Sequence, residues 1–154
     1  MKIRSVLLPT DFSECAAHAL PYAAHFTREQ NAALICVHVI EPLVPAIGHS
    51  GMTEPLPTAD LSEQMESTAA RELPKLADTP ECAGLEVREV IARGDAASEI
   101  VRVARENDVD LIVISSHGRT GINRLLFGST AESVVRHAHC PVLVIKPPRA
   151  EGTD

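Results

Sequence analysis

The chain has 154 residues, 45% of them hydrophobic, with 14 Lys and Arg against 21 Asp and Glu for a formal net charge of −7. A chain of this length and apolar content can close its own core, which excludes a disordered or low-complexity polymer. The acidic balance argues against a general nucleic-acid binder or a polybasic membrane anchor, and three Phe, one Tyr and no Trp leave little for a base-stacking platform or a flavin sandwich.

The first apolar run, Ile3–Leu8, stops at Pro9. It is too short for a signal peptide, and no later run reaches the roughly 18 residues of a membrane span, so a cytoplasmic location is expected. Ile3–Leu8 reads as a strand. From Ser13 to Glu29 a single helix is predicted, with Ala16, Ala19, Leu20, Ala23 and Phe26 on one face and Ser13 as its N-cap. A second strand is expected over Ala33–Ile40. Glu41–Ala59 then carries four Pro and two Gly, and such a long irregular stretch reads as a flexible surface loop or lid.

The next helix is expected from Asp60 to about Ala77, opened by an Asp60/Glu63 capping box. Leu85–Ile91 reads as a third strand, and Glu86, Arg88 and Glu89 suit it to a sheet edge. A helix over Ala96–Asn107, a strand over Asp110–Ile114, a helix from Ser129 to about His137 and a strand over Val142–Ile145 complete the series. Residues 148–154 read as a disordered tail, leaving one domain over 1–147. The β-α alternation predicts an α/β fold: a single open parallel five-stranded sheet with helices on both faces. With the third strand at an edge, the natural order is 3-2-1-4-5.

In such a sheet, ligands bind beyond the carboxyl ends of the strands where the winding reverses, here between strands one and four. Two segments follow those strands: Pro9-Thr10-Asp11-Phe12-Ser13, and Ser115-Ser116-His117-Gly118-Arg119-Thr120-Gly121 leading to Gly128-Ser129-Thr130. The second reads as an anion cradle. Its glycines allow close backbone approach, Arg119 supplies a cation, and Gly128-Ser129-Thr130 opens a helix whose free N–H groups favour phosphate. The alternative is a turn-rich loop with a Ser/Thr cap. Asp11 either caps the first helix with Glu14 or accepts ribose hydroxyls. No G-x-x-x-x-G-K-[ST], G-x-G-x-x-G or G-x-S-x-G stands in the chain. The four cysteines are scattered and read as small core residues. His38 reads as a satisfied core histidine. His137-Ala138-His139-Cys140 diverges across a helix end and a strand start, which argues against a metal site.

The opening I-R-S-V-L-L-P-T-D-F-S-E-C-A-A-H-A-L, the strand C-V-H-V-I, and the stretch S-H-G-R-T-G-I-N-R-L-L-F-G-S-T-A-E-S-V-V-R-H-A-H-C-P-V-L-V-I-K resemble the universal stress protein (UspA-like) family along essentially the whole chain. The nucleotide-binding branch of that family carries G-x2-G-x9-G-[ST]. Gly118, Gly128 and Ser129 match it, while Ser115 stands at the first Gly. The resemblance implies a Rossmann-like, adenine nucleotide alpha hydrolase-like fold that binds ATP, with or without Mg²⁺. Pro9, Thr10 and Asp11 would lie on the ribose and adenine side, and Val39 would offer backbone bonds to adenine. Ile114, Ser115, His117, Gly118, Arg119, Gly128, Ser129 and Thr130 would surround ribose and phosphates. It further implies a regulatory stress-response role and a homodimer through strand 142–145, whose apolar sheet-edge position independently calls for cover. The rival readings are a dimeric interaction protein that binds no nucleotide, and a weak ATP hydrolase.

Overall fold

A computed structural model describes residues 2–42, 58–117 and 128–146. In chain order these form β1 (Ser5–Pro9), α1 (Glu14–Ala17), α2 (Leu20–Gln30), β2 (Ala33–Ile40), α3 (Thr58–Ala77), a short 3-10 turn (Pro80–Cys82), β3 (Glu86–Arg93), α4 (Ala96–Glu106), β4 (Leu111–Ser115), α5 (Ser129–His137) and β5 (Val142–Ile145). All four strand pairings are parallel, as the alternation predicts, and the order is β3-β2-β1-β4-β5, as expected with the charged third strand at an edge.

Strand alternation sends side chains to two cores. Val6, Leu8, Leu34 and Cys36 pack on one face with Ala19, Leu20 and Ala23 around α2 and with Leu73 of α3. Leu7, Ile35, Val37 and Ile112 pack on the other with Ile100, Val103 and Ala104 of α4 and with Ala131 and Val134 of α5. β1, β2 and β4, covered on both faces, are therefore almost wholly buried. β3 carries mostly exposed and half-buried residues, with Ala92 its one buried position, as its charges foretell for an edge.

The single helix expected over Ser13–Glu29 is in fact two. Pro21 has no N–H to continue the ladder from Ala17. The first segment ends at His18, the Ala19 N–H turns back to the Ala16 carbonyl, and α2 restarts with Pro21 in its first turn. The apolar stripe survives the break, since Ala16, Ala19, Leu20 and Ala23 are all buried. α3 starts at Thr58, two residues before the expected cap, so Asp60 lies inside its first turn and the irregular stretch ends earlier than Ala59. The rest of that stretch, 43–57, and the tail 148–154 lie outside the described residues. β3 runs on to Arg93, two residues past the expected end.

Candidate functional site

The carboxyl ends of β1, β2 and β4 and the first turns of α4 and α5 enclose a cavity of about 350 Å³, within the size range of small-molecule sites. It lies at the β1/β4 reversal. Pro9, Thr10 and Asp11 contribute the β1 side, His38 and Val39 the β2 side, Ile114, Ser115 and His117 the β4 side, and Gly128, Ser129 and Thr130 the α5 side. Ten of the twelve residues singled out from the sequence thus line one cavity; the other two, Gly118 and Arg119, lie outside the described residues.

The β1–α1 turn is tightly specified. The Thr10 N–H extends the sheet by donating to the Val37 carbonyl at 2.9 Å, and Thr10 Oγ1 accepts the Phe12 N–H at 3.0 Å. The Ser13 hydroxyl caps α1 by accepting the Ala16 N–H. Asp11 is not the cap. Its Oδ1 stands behind the cap, accepting the Ser13 N–H at 3.0 Å and the Ser13 hydroxyl at 2.5 Å. This Asx-type turn fixes the Asp11 carboxylate at the cavity wall.

On the β4 side, Ser115 is the last residue of the strand. Among the described residues other than glycine, only Phe12, Asn31 and Asp108 have positive φ, so Ser115 is extended and carries no left-handed strain. Its hydroxyl donates to the His117 carbonyl at 2.8 Å, tying down the start of the loop. Ser116 Oγ is 2.9 Å from His117 Nδ1. The Ser116 N–H donates to the Ile145 carbonyl, joining the loop to β5.

Two helix N-termini border the cavity and differ in kind. That of α4 is occupied by carboxylates: Asp95 accepts the Ser98 N–H, and Glu41, from the end of β2, accepts the Ala96 N–H at 3.2 Å. Hydrogen bonds from the Ser98 hydroxyl and N–H hold the Asp95 carboxyl below its usual range. α5 begins instead at Gly128, which offers no side-chain cap. Gly128 donates to the Ser116 carbonyl at 2.7 Å and accepts the Glu132 N–H. The N–H groups of Ser129, Thr130 and Ala131 belong to the first turn, where a helix supplies no partners and its dipole favours an anion. Chemically the cavity offers an anion seat at α5, a carboxylate at Asp11, and main-chain groups and apolar wall along Val37–Val39.

A model of the universal stress protein family matches residues 2–146. The chain belongs to this family. It is 33% identical over 152 residues to the universal stress protein MJ0531 of Methanocaldococcus jannaschii, covering 96% of this chain and 85% of that one. Among solved structures, the protein MJ0577 of the same organism superposes with a TM-score of 0.81 at 28% identity, covering 97% of this chain and all of that one. A universal stress protein of Archaeoglobus fulgidus, solved in complex with dAMP, superposes with a TM-score of 0.63 at 25% identity, covering 95% and 100%. These universal stress proteins share the α/β fold found here.

Sequence reasoning missed part of the wall. Glu41, Met65, Ala96 and Ile100 also line the cavity, as do His38 and Ser116. The signal for Ala96 was present, since it follows Gly94 and Asp95 at a strand-to-helix turn at the same carboxyl end of the sheet as Asp11. Nothing in the sequence pointed to Met65, which α3 brings in from a distant segment.

Proposed function

We propose that this universal stress protein binds an adenine nucleotide, ATP, in the cavity between β1, β4 and α5, and that occupancy regulates a homodimer in a stress response. The carrying observation is the convergence of a fixed carboxylate at Asp11, the cavity at the topological reversal, and an α5 N-terminus whose cap position, Gly128, brings no side chain, while that of α4 is filled by Asp95 and Glu41. In this reading the phosphates sit on the first turn of α5, near Gly118 and Arg119. Ribose hydroxyls meet Asp11, and adenine lies against the Val39 backbone. Mg²⁺ would arrive on the triphosphate oxygens rather than in a protein-built cage. The dAMP bound by the Archaeoglobus relative supports the choice of base.

The dimer would form on β5. This strand is at the sheet edge, and Val142, Leu143 and Val144 are only half-buried in the single chain. The four unpaired thiols, Cys36 and Cys82 buried, suit the reducing cytoplasm. The deciding experiment is mass spectrometry of small molecules released from the purified protein, followed by calorimetry with ATP on the stripped protein. Adenine nucleotide in the first and heat in the second support the reading; no heat at millimolar ATP refutes it.

A further inference from the structure

The β1–α1 turn that carries Asp11 contains a conformation it should not hold unaided. Phe12 sits at φ 62°, in the left-handed region that costs a non-glycine residue free energy and persists only where the surroundings enforce it. Two contacts of one neighbouring side chain enforce it. The Phe12 ring stacks on the His38 ring, with centroids 4.5 Å apart and an interplanar angle of 27°. His38 is buried within β2, and its Nδ1 lies 2.8 Å from the Thr10 carbonyl oxygen. A carbonyl only accepts, so His38 carries its proton on Nδ1 and donates. One side chain therefore holds the residue before Asp11 by a hydrogen bond and the residue after it by a ring stack.

We propose that His38 is a positioning residue for the nucleotide site: its Nδ1–H, seated on the Thr10 carbonyl, holds the turn in the strained form that presents Asp11 to the ligand. This rests on the nucleotide reading above for its ligand, but the turn itself can be tested without one. The bond spans 28 residues of sequence and joins β1 to β2 just beyond the last sheet bond, Thr10 N–H to the Val37 carbonyl. Without it, the Thr10 carbonyl loses a buried donor and Phe12 is free to relax to negative φ. The Asx turn at Ser13, which needs Asp11 in place, would then loosen with it.

The test uses three full-length proteins: wild type, His38→Phe and His38→Asn. Phenylalanine keeps a ring for Phe12 but removes the donor; asparagine removes the ring but places an amide N–H close to where imidazole Nδ1 stood. Amide hydrogen exchange of the unliganded proteins comes first, read at Phe12 and Ser13 with Val6–Leu8 as the folding control. In His38→Phe the two turn amides should exchange at least tenfold faster while Val6–Leu8 stay protected, and His38→Asn should restore most of the protection. Calorimetry with ATP should then show the dissociation constant raised about tenfold or more in His38→Phe and within about threefold of wild type in His38→Asn. Unchanged turn protection in His38→Phe, or equal losses in both variants, overturns the proposal. Should wild type take up no ATP, the nucleotide reading fails, and the exchange data still decide whether His38 holds the turn.

Discussion

Gly128→Ala puts a methyl group where the helix start and the β4 loop touch. A Cβ built at Gly128 lies 3.1 Å from the Ser116 carbonyl oxygen and 3.7 Å from His117 Cα. The first is shorter than an ordinary C···O contact of about 3.3–3.6 Å. Ser116 cannot readily retreat, because its N–H is bonded to the Ile145 carbonyl at 2.8 Å, so the first turn of α5 must move outward. That movement strains or breaks the 2.7 Å bond from Gly128 N–H to Ser116. Overpacking of this kind costs about 1–3 kcal/mol and a lost hydrogen bond about 0.5–1.5 kcal/mol net, so a destabilisation near 2 kcal/mol is expected. The same movement lifts the Ser129, Thr130 and Ala131 N–H groups off the proposed phosphate seat, and the ATP dissociation constant should rise at least about tenfold, or 1.4 kcal/mol. Gly84→Ala is the control. Gly84 has φ 76°, and a Cβ there meets nothing within 4 Å, so the cost is backbone strain of about 1–2 kcal/mol far from the cavity. Urea unfolding should find both variants weakened by similar amounts, and calorimetry should find ATP binding impaired in Gly128→Ala alone. Wild-type affinity in Gly128→Ala, at a measured loss of stability, would mean that the first turn of α5 does not hold the phosphates.

Further outcomes are expected. Ser115→Gly removes the hydroxyl bond to the His117 carbonyl and should cost about 1–2 kcal/mol of stability, yet shift ATP affinity by no more than about tenfold, because Ser115 is extended and carries no strain to relieve. Calorimetry alongside urea titration checks both parts. Val144→Lys places a charge in the middle of the apolar β5 edge and should convert a dimer to a monomer by light scattering. Turnover of ATP should stay below roughly 1 s⁻¹ by phosphate release, because an anion seat that binds ground and transition states alike gives no rate. Burial pushes the Cys36 thiol up from 9.0 to about 12, so the folded protein holds that proton while the unfolded chain releases it above pH 9. Stability should therefore fall between pH 9 and 12, by up to about 1.4 kcal/mol per pH unit from this group, and Cys36→Ala should show a shallower decline in urea titrations across that range.

The sheet was legible because buried parallel strands are written as continuous apolar runs, and the charges of Glu86, Arg88 and Glu89 mark β3 as an edge. The site was legible wherever it follows from topology: a reversal between β1 and β4 places Asp11, Ser115 and Gly128 together whatever their side chains do. Local chemistry was harder to read. Helical periodicity runs unbroken through His18 and Ala19, because the two helices share one buried stripe, so Pro21 was the only signal of a break. Asp11 and Ser13 are both good capping types, and only the bond from Ala16 N–H to Ser13 Oγ separates cap from buttress. His38 could be read as a satisfied core histidine, which it is. Its partner, the Thr10 carbonyl, depends on the register of β1 against β2, and sequence spacing does not encode that register.

Whether the cavity between β1, β4 and α5 takes an adenine nucleotide can be read by titrating ATP into isotope-labelled protein and following backbone amide resonances. Saturable shifts concentrated at Asp11, Val39, Ser115 and Gly128–Thr130 are expected, with the α2 residues Tyr22 and His25 unmoved. Saturable shifts centred on α2, or no shifts at millimolar ATP, would contradict nucleotide binding in this cavity.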